Sequence, residues 1–227
     1  MEVLSKERLN ILDVGTKKYA EVLSLQEELF NRNVEAKLRN LPTENHLILC
    51  EHEPVYTLGK SGDRQNILVS TEEMNADFFH TNRGGDVTFH GPGQLVVYPI
   101  LDIDRFSIGL ARYIFQLEES IIQSLLTYGI HAGRVEGAAG IWLKENGPER
   151  KICAIGVKAS RNITMHGLAV NITTDLTYFQ KIVPCGLVNK PVTSLQQELK
   201  QPVSMNEYKS RFFDSFRRVF GVQTDKN

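Results

Sequence analysis

Three stretches of the chain repeat apolar residues at the spacing of a helix face. Across residues 17–39 and again across residues 110–125, apolar side chains recur every three or four positions with polar residues between them. Gly129 is well placed to end the second of these helices. Ser204 and Glu207 have the spacing of a capping box, which predicts a third helix after Ser204. Its apolar face is formed by Tyr208, Phe212, Phe216 and Val219.

Shorter apolar runs between turn-forming residues predict strands at residues 46–50 and 95–100. Residues 140–143 and 151–157 are joined by a polar, turn-forming segment, which predicts a hairpin. Residues 163–172 are expected to form another strand, followed by irregular chain through Gly186. Because strands and helices mix without strict alternation, the pattern favours an α+β fold over a doubly wound parallel sheet.

Length and composition bound the class of protein. The chain has 227 residues, 41% of them hydrophobic, and we expect one domain over residues 1–227. Its 26 basic and 27 acidic residues nearly balance, so the sequence offers no overall basic field for nucleic acid or an anionic membrane. The N-terminal residues lack a signal-peptide pattern, and no apolar stretch is long enough to span a bilayer. We therefore expect a soluble, cytoplasmic protein.

A glycine-rich segment, RGGDVTFHGPGQ at residues 83–94, is a candidate ligand-binding loop. Its four glycines around His90 would let the backbone approach a ligand closely. The segment matches neither a phosphate-binding loop of the GxxxxGK[ST] type nor the GxGxxG dinucleotide fingerprint. The alternative is a glycine-dense hairpin in which His90 is buried and hydrogen-bonded and Arg83 is a solvated charge.

The three cysteines form no CxxC pair, so a disulfide framework or a thiolate metal site is not expected. Cys185 lies between Pro184 and Gly186, where a thiol could face a cleft and act as a nucleophile if a nearby cation stabilises its thiolate. Cys50 lies within an apolar strand and fits a buried packing role, the usual role of a lone cysteine.

Lys151 is the candidate cation. In an extended strand, alternation would place Lys151, Cys153, Ile155 and Val157 on one face, where partial burial would lower the pKa of the lysine. The alternative is that Lys151 ends the polar turn and points into water. Because Cys153 would share the face of Lys151, periodicity alone leaves it a rival to Cys185.

Several ordered motifs make the chain closely similar to the octanoyltransferases of protein lipoylation, also called lipoyl(octanoyl) transferases. The resemblance covers most of the chain. It implies the fold of the biotin and lipoate protein ligase catalytic domains, a mixed sheet flanked by helices. The motifs are HEPVYTLG at 52–59, the segment 83–94 continuing to Tyr98 and Pro99, RKICAIGV at 150–157, HGLAVN at 166–171, IVPCG at 182–186 and VTSL at 192–195.

The resemblance also assigns residues. The acyl-thioester cysteine of the family falls on Cys185, and the lysine that lowers its pKa falls on Lys151. Cys153 stands where alanine is expected in such a family. His90 and His166 are candidates for positioning the substrate. The substrate contacts fall on Arg83, Gly84, Gly85, Asp86, Val87, Thr88, Phe89, His90, Ala154, Ile155, Gly156, Gly167, Leu168 and Ala169.

The implied donor is octanoyl-acyl carrier protein. The implied acceptors are the lipoyl domains of 2-oxoacid dehydrogenase E2 subunits and the glycine cleavage H protein. We expect a monomer with no cofactor, no metal, no nucleic acid and no membrane partner. Two rival functions stay open: an ATP-dependent lipoate or biotin ligase, although a GRGR run is absent, and a non-catalytic module that only docks carrier or lipoyl domains.

Overall fold

The computed structural model describes residues 7–145, 147–183 and 190–223, and within them the chain forms ten strands and five α-helices. The strands are β1 (Asn10–Lys17), β2 (His46–His52), β3 (Val55–Leu58), β4 (Asp77–His80), β5 (Val87–His90), β6 (Gln94–Ile100), β7 (Ala132–Val135), β8 (Ala138–Leu143), β9 (Arg150–Ser160) and β10 (Ile163–Asn171). The helices are α1 (Tyr19–Leu38), α2 (Thr71–Met74), α3 (Leu110–Leu126), α4 (Leu195–Leu199) and α5 (Met205–Phe220).

Two sheets organise these strands. The large sheet has the order β1-β2-β6-β10-β9-β8-β7, with β1 and β2 parallel and every other neighbouring pair antiparallel. The small sheet has the order β4-β3-β5, in which β3 is parallel to β4 and antiparallel to β5. The α+β fold with a mixed sheet flanked by helices is thereby confirmed, as is the β8–β9 hairpin.

The three helices predicted from periodicity are confirmed as α1, α3 and α5. Gly129, at φ +74°, donates its N–H to the carbonyl of Leu126 and closes the turn that ends α3. At the start of α5, the Ser204 hydroxyl accepts the N–H of Glu207, as the capping spacing predicts. Among the described residues, no helix combines the length and apolar composition needed to cross a bilayer.

The stretch after β10, predicted as irregular chain, contains a 3₁₀ helix at Leu176–Lys181. Asp175 caps it by accepting the N–H of Thr177 on its carboxylate. The end of that prediction, residues 184–186, lies outside the described residues.

The two faces of the large sheet carry different contents. The face covered by α3 and α5 is apolar, and the helices pack on it through Tyr113, Leu117, Phe212 and Phe216, all fully buried. The opposite face packs α1 through Val22, Leu29 and Phe30, and it also faces the small sheet. Since strand residues alternate between faces, one set of strands builds both a core and a site.

A β-bulge interrupts this alternation in β9 and overturns one prediction. Cys153 pairs with Ile141 and Lys151 pairs with Trp142, so two steps along β9 oppose one step along β8. Ile152 and Cys153 both join the core under α3 and α5, whereas Lys151 turns to the other face with Ala154. The expectation that Lys151 and Cys153 share a face is therefore wrong.

Candidate active site

A cavity opens between the large sheet, the small sheet and the start of α1. It encloses about 470 Å³ of empty space including its mouth, and much of its wall is apolar or made of small residues. Such a site suits an apolar ligand held by a few placed polar groups. Its lining residues are Tyr19, Arg83, Gly85, Asp86, Thr88, His90, Val96, Tyr98, Ala154, Ile155, Gly156, His166, Gly167, Leu168 and Ala169.

Most of the predicted substrate contacts meet in this cavity, although they come from three separate motifs. Arg83, Gly85, Asp86, Thr88 and His90 line it together with the predicted residues at 154–156 and 167–169. Three predicted contacts lie elsewhere. Alternation along β5 turns Val87 and Phe89 into an apolar cluster with Tyr56 and Phe179. Gly84 instead donates its N–H to the carbonyl of Val157 in β9, at 2.9 Å.

Arg83 is buried rather than a solvated charge, with 8% of its surface exposed. One guanidinium nitrogen, Nη2, donates to the carbonyl and hydroxyl of Thr57 at 2.7 and 2.9 Å and to the carbonyl of Asp86 at 2.8 Å. Nη1 donates to the carbonyl of Gly84 at 3.0 Å. The guanidinium therefore fixes the glycine-rich loop to β3 by binding the loop's own carbonyls.

Glycine is required where this loop meets β9. A Cβ added to Gly156 would lie 2.7 Å from the carbonyl oxygen of Gly84 and 3.2 Å from Cδ of Arg83. Moving the backbone of Gly84 to make room would cost free energy, so a side chain at residue 156 would displace the loop from the cavity. The sequence-based expectation that glycine allows close approach of the backbone holds here between two protein segments.

A chain of hydrogen bonds runs along one wall. The Asn171 amide donates to the carbonyl of Thr193 at 3.0 Å and accepts from the Gln94 amide at 2.9 Å. The Gln94 carbonyl oxygen then meets Nδ1 of His90 at 2.8 Å, and Nε2 of His90 meets the Thr57 hydroxyl at 3.3 Å. Since Gln94 offers its oxygen, we assign the His90 proton to Nδ1.

Burial keeps the cavity histidines neutral. It lowers the pKa of His90 to about 3, with the charges of His52 and Arg83 adding to the effect, and it lowers the pKa of His166 to about 3. His166 has a positive φ of 58°, rare outside glycine, and its backbone N–H donates to the Gln26 side chain at 3.1 Å. Its Nε2 lies 2.9 Å from the side-chain oxygen of Asn82. Both rings thus act as neutral hydrogen-bonding groups.

Lys151 lines a second, smaller cavity that shares Thr88, Ala154 and Ala169 with the first. Only 5% of the Lys151 surface is exposed, which excludes the alternative that the lysine points into water. Its ammonium nitrogen lies 4.7 Å from the ring centre of Trp142. The sequence-predicted lysine therefore stands beside the residues predicted to hold the acyl chain.

The backbone of Lys151 is bound to the chain that follows residues 184–189. Its N–H donates to the carbonyl of Pro191, and its carbonyl accepts the N–H of Thr193, both at 2.9 Å. On the other side, Val183 donates its N–H to the carbonyl of Asn66 at 2.7 Å. Cys185 itself lies outside the described residues.

The two other thiols are unsuited to nucleophilic chemistry. Cys153 and Cys50 are both fully buried, and desolvation raises the pKa of each thiol above its ordinary value. Cys153 packs in the core, on the opposite face of the sheet from Lys151. Periodicity left Cys153 and Cys185 as alternative candidates for the nucleophile, and the burial of Cys153 excludes it from that role.

Sequence reasoning missed three aromatic groups at the cavity. Tyr19 and Tyr98 line it, and His52 lies behind them with its ring centre 5.3 Å from that of Tyr19 and 5.9 Å from that of Tyr98. They come from α1, β6 and β2, so no local spacing connects them. Within the described ranges, no group of three or more histidine, cysteine, aspartate or glutamate side chains is arranged to hold a metal ion.

Solved structures with a similar fold are lipoate- and biotin-protein ligases. A lipoate-protein ligase A bound with ATP has a TM-score of 0.70 at 16% identity, over 98% of this chain and 88% of that one. A bi-partite lipoate protein ligase from Thermoplasma acidophilum gives 0.67 at 16% identity, over 98% and 86%. A biotin protein ligase from Aquifex aeolicus gives 0.52 at 11% identity, over 94% and 70%. At identities this low, the similarity shows only that the chain has the fold of the lipoate and biotin ligase catalytic domains.

Sequence comparison narrows that class. Residues 18–217 match the model of the lipoyl protein ligase A/B catalytic domain. An octanoyltransferase of Bacteroides thetaiotaomicron is 52% identical over 197 residues, which are 85% of this chain and 87% of that protein. An octanoyltransferase of Cytophaga hutchinsonii is 47% identical over 226 residues, 94% and 93% of the two chains. The chain belongs to the lipoyl protein ligase A/B catalytic domain family, and within it to the octanoyltransferases, which are acyltransferases of protein lipoylation.

Proposed function

We propose that the chain moves an octanoyl group from octanoyl-acyl carrier protein to the ε-amine of a lysine on a lipoyl domain, through a thioester on Cys185. The acceptors are the lipoyl domains of 2-oxoacid dehydrogenase E2 subunits and the glycine cleavage H protein. The enzyme acts as a monomer in the cytoplasm, without a cofactor.

The observation that carries the proposal is the position of Lys151. A buried lysine side chain lies in a cavity that adjoins the acyl cavity through Thr88, Ala154 and Ala169. The backbone of the same lysine is paired with Pro191 and Thr193, which holds residues 191–193 at this point. Pro191 comes six residues after Cys185, and an extended chain of that length covers at most ~21 Å, so the sequence separation permits the thiol to approach the lysine.

The reaction has two halves. In the first, the Cys185 thiolate attacks the donor's thioester carbon, the carrier's thiolate leaves, and it takes up a proton. In the second, the neutral acceptor amine attacks the acyl-Cys185 carbon, loses a proton and releases the Cys185 thiolate. Lys151 stabilises the thiolate as an ammonium group and exchanges protons in both halves. The amide product is more stable than either thioester, so the second half drives transfer forward.

The fold also serves ATP-dependent ligases, which makes an adenylating route the second candidate. That route would start from free octanoate and ATP, and it would leave Lys151 and Cys185 without a chemical role. The two routes therefore differ in their donors.

The test is a transfer assay on an apo lipoyl domain with two donors, octanoyl-acyl carrier protein without ATP, and free octanoate with ATP. The mass of the lipoyl domain reports the product. The proposal expects octanoylation from the carrier alone, and its loss in Cys185→Ser. Modification from octanoate and ATP, with none from the carrier, would contradict the proposal and favour the ligase.

A further inference from the structure

The acyl cavity has two ends that the strand register defines. Ala154 pairs with Ala169, which pairs with Val96, and this row adjoins the cavity of Lys151. The next row on the same face begins with the pair of Gly156 and Gly167, and one more step of the register sets Tyr98 opposite Gly167. Gly156 lies five residues beyond Lys151 in β9, ~16 Å by the rise of a strand, so this row is the far end.

Large groups fill the far end. A Cβ added to Gly156 would already lie 3.2 Å from Cδ of Arg83, so the guanidinium arm covers that part of the row. Tyr98 is the large residue of the row, with 4% of its surface exposed, and it lines the cavity beside Tyr19. An acyl chain that starts near Lys151 therefore meets the rings of these two tyrosines at its methyl end.

The Tyr98 ring is held in place by its hydroxyl. Nδ1 of His52 lies 3.0 Å from the carbonyl of Lys17, which requires a proton on that nitrogen. Nε2 of His52 then accepts the Tyr98 hydroxyl proton at 2.8 Å. His52 is fully buried and is packed edge-on against Tyr19. The Tyr98 side chain is held by its backbone in β6 and by its hydroxyl. It cannot change rotamer to admit a longer acyl chain without losing a buried hydrogen bond.

We propose that Tyr98, held by His52, closes the acyl cavity and thereby sets the longest acyl chain that the enzyme accepts. The proposal rests on the acyl transfer proposed above and adds to it the residue that selects chain length. Tyr98 contacts the methyl end of the substrate, and His52 is a positioning residue that acts through Tyr98.

The experiment is an internal competition between octanoyl- and decanoyl-acyl carrier protein in one tube, read by the masses of the two lipoyl-domain products. The product ratio does not depend on how much of a variant folds. Tyr98→Leu and Tyr98→Ala open the far end, and each methylene that gains a buried site changes binding about fourfold. We expect the decanoyl-to-octanoyl ratio to rise, by up to about 16-fold for the two added methylenes.

The matched control is Tyr208→Leu, which removes a fully buried tyrosine whose hydroxyl bonds Ser124 in the core under α5. It should leave the ratio at the wild-type value while lowering stability. A ratio for both Tyr98 variants within twofold of wild type would overturn the proposal, as would an equal change in Tyr208→Leu.

A second readout needs no catalysis and so separates this proposal from the proposed function. The rise in Tm caused by free octanoic and decanoic acids reports chain-length preference by binding alone. Opening of the far end should raise the effect of decanoic acid in the Tyr98 variants only, even for an enzyme that fails to use the carrier donor. An unchanged order of the two acids would contradict the assigned role of Tyr98.

The role of His52 is tested by two substitutions. His52→Leu leaves the Tyr98 hydroxyl without its acceptor and should relax chain-length selection, by less than Tyr98→Ala. His52→Gln offers an oxygen to the same hydroxyl and should restore selection. Equal loss of selection in both variants would show that His52 only fills space.

Discussion

The two faces of the large sheet differ although the same strands build both. Under α3 and α5 the face is apolar, and fully buried rings of α5 such as Phe212 and Phe216 pack on it. On the opposite face, residues of the same strands are small, as at Ala154 and Ala169, and leave the space that the cavity occupies. One face is therefore closely packed against helices and contributes stability. The other face is less closely packed and leaves a cavity of a size that suits a ligand.

Strand β9 shows this division within three consecutive residues, 151–153. The bulge turns Lys151 to the cavity, and Cys153, two residues later, lies in the core. A regular strand would have placed both side chains on one face. The comparison predicts that substitutions on the cavity face change activity and that substitutions on the core face change stability.

The largest effect is expected at Lys151. Lys151→Ala should lower turnover about 10²- to 10⁴-fold, the range of a lost acid–base group, while Tm stays close to wild type. The measurement is initial rate of lipoyl-domain octanoylation together with thermal unfolding. Lys151→Arg keeps a positive charge without an exchangeable proton at neutral pH, so unimpaired turnover in that variant would exclude the acid–base role.

The control for Lys151 is Lys158 in the same strand. Its ammonium nitrogen lies 4.7 Å from the ring centre of Phe30, the same separation as between Lys151 and Trp142. Lys158→Ala should leave turnover within about twofold of wild type, because Lys158 lines neither cavity. A comparable loss of turnover in Lys151→Ala and Lys158→Ala would contradict the specific role assigned to Lys151.

On the core face, Phe212→Ala should lower the free energy of unfolding by about 3–5 kcal/mol, since it leaves a cavity among fully buried neighbours. Urea unfolding measures the change. Turnover per folded molecule should be unaffected at a temperature where the variant remains folded. A selective loss of turnover with unchanged stability would contradict the assignment of this face to packing.

Acid should destabilise the protein through its buried histidines. Burial lowers the pKa of His52 to about 4 and that of His90 and His166 to about 3, whereas an unfolded histidine titrates near 6.5. Below about pH 6.5 the unfolded chain binds protons that the folded chain does not. The free energy of unfolding therefore falls by up to about 1.4 kcal/mol per pH unit for each histidine.

Urea unfolding between pH 7 and pH 5 measures this slope. His90→Gln should reduce it, because one buried neutral imidazole is gone, while substitution of the exposed His131 by glutamine should leave it as in wild type. A slope in His90→Gln equal to that of wild type would argue against a neutral, buried His90.

The smallest effect is expected at Cys153. Cys153→Ala should cost about 1 kcal/mol of unfolding free energy, because a small buried group is removed from the core. Turnover should be unchanged, and the Cys153 thiol should resist alkylation in the native protein. Rapid alkylation of Cys153 with loss of turnover would contradict its packing role and indicate that it is the nucleophile.

Periodicity located the elements with strong local patterns, namely α1, α3, α5 and the β8–β9 hairpin. It missed β1 and β4, because both are exposed along much of their length and lack an apolar run. The glycine-rich segment was recognised as a candidate ligand-binding segment, but it contains strand β5, and the burial of Arg83 depends on carbonyls of Thr57 and Asp86 that only the fold brings together.

The resemblance to a family found the lining residues at 154–156 and 167–169, which alternation alone would not have singled out. The bulge at Ile152 could not be predicted from the sequence, because it arises from how β9 pairs with β8. Tyr19, Tyr98 and His52 were missed as site residues for the same reason, being distant in sequence and adjacent only in the folded chain.

We propose that Cys185 carries the acyl group beside Lys151. The most direct test of this proposal is intact mass measurement of the enzyme after a single turnover with octanoyl-acyl carrier protein and no acceptor. We expect one octanoyl adduct, located on the peptide that contains Cys185, cleaved by hydroxylamine and discharged by an apo lipoyl domain. Octanoylation of the lipoyl domain by Cys185→Ser at the wild-type rate, or an adduct on another residue, would contradict it.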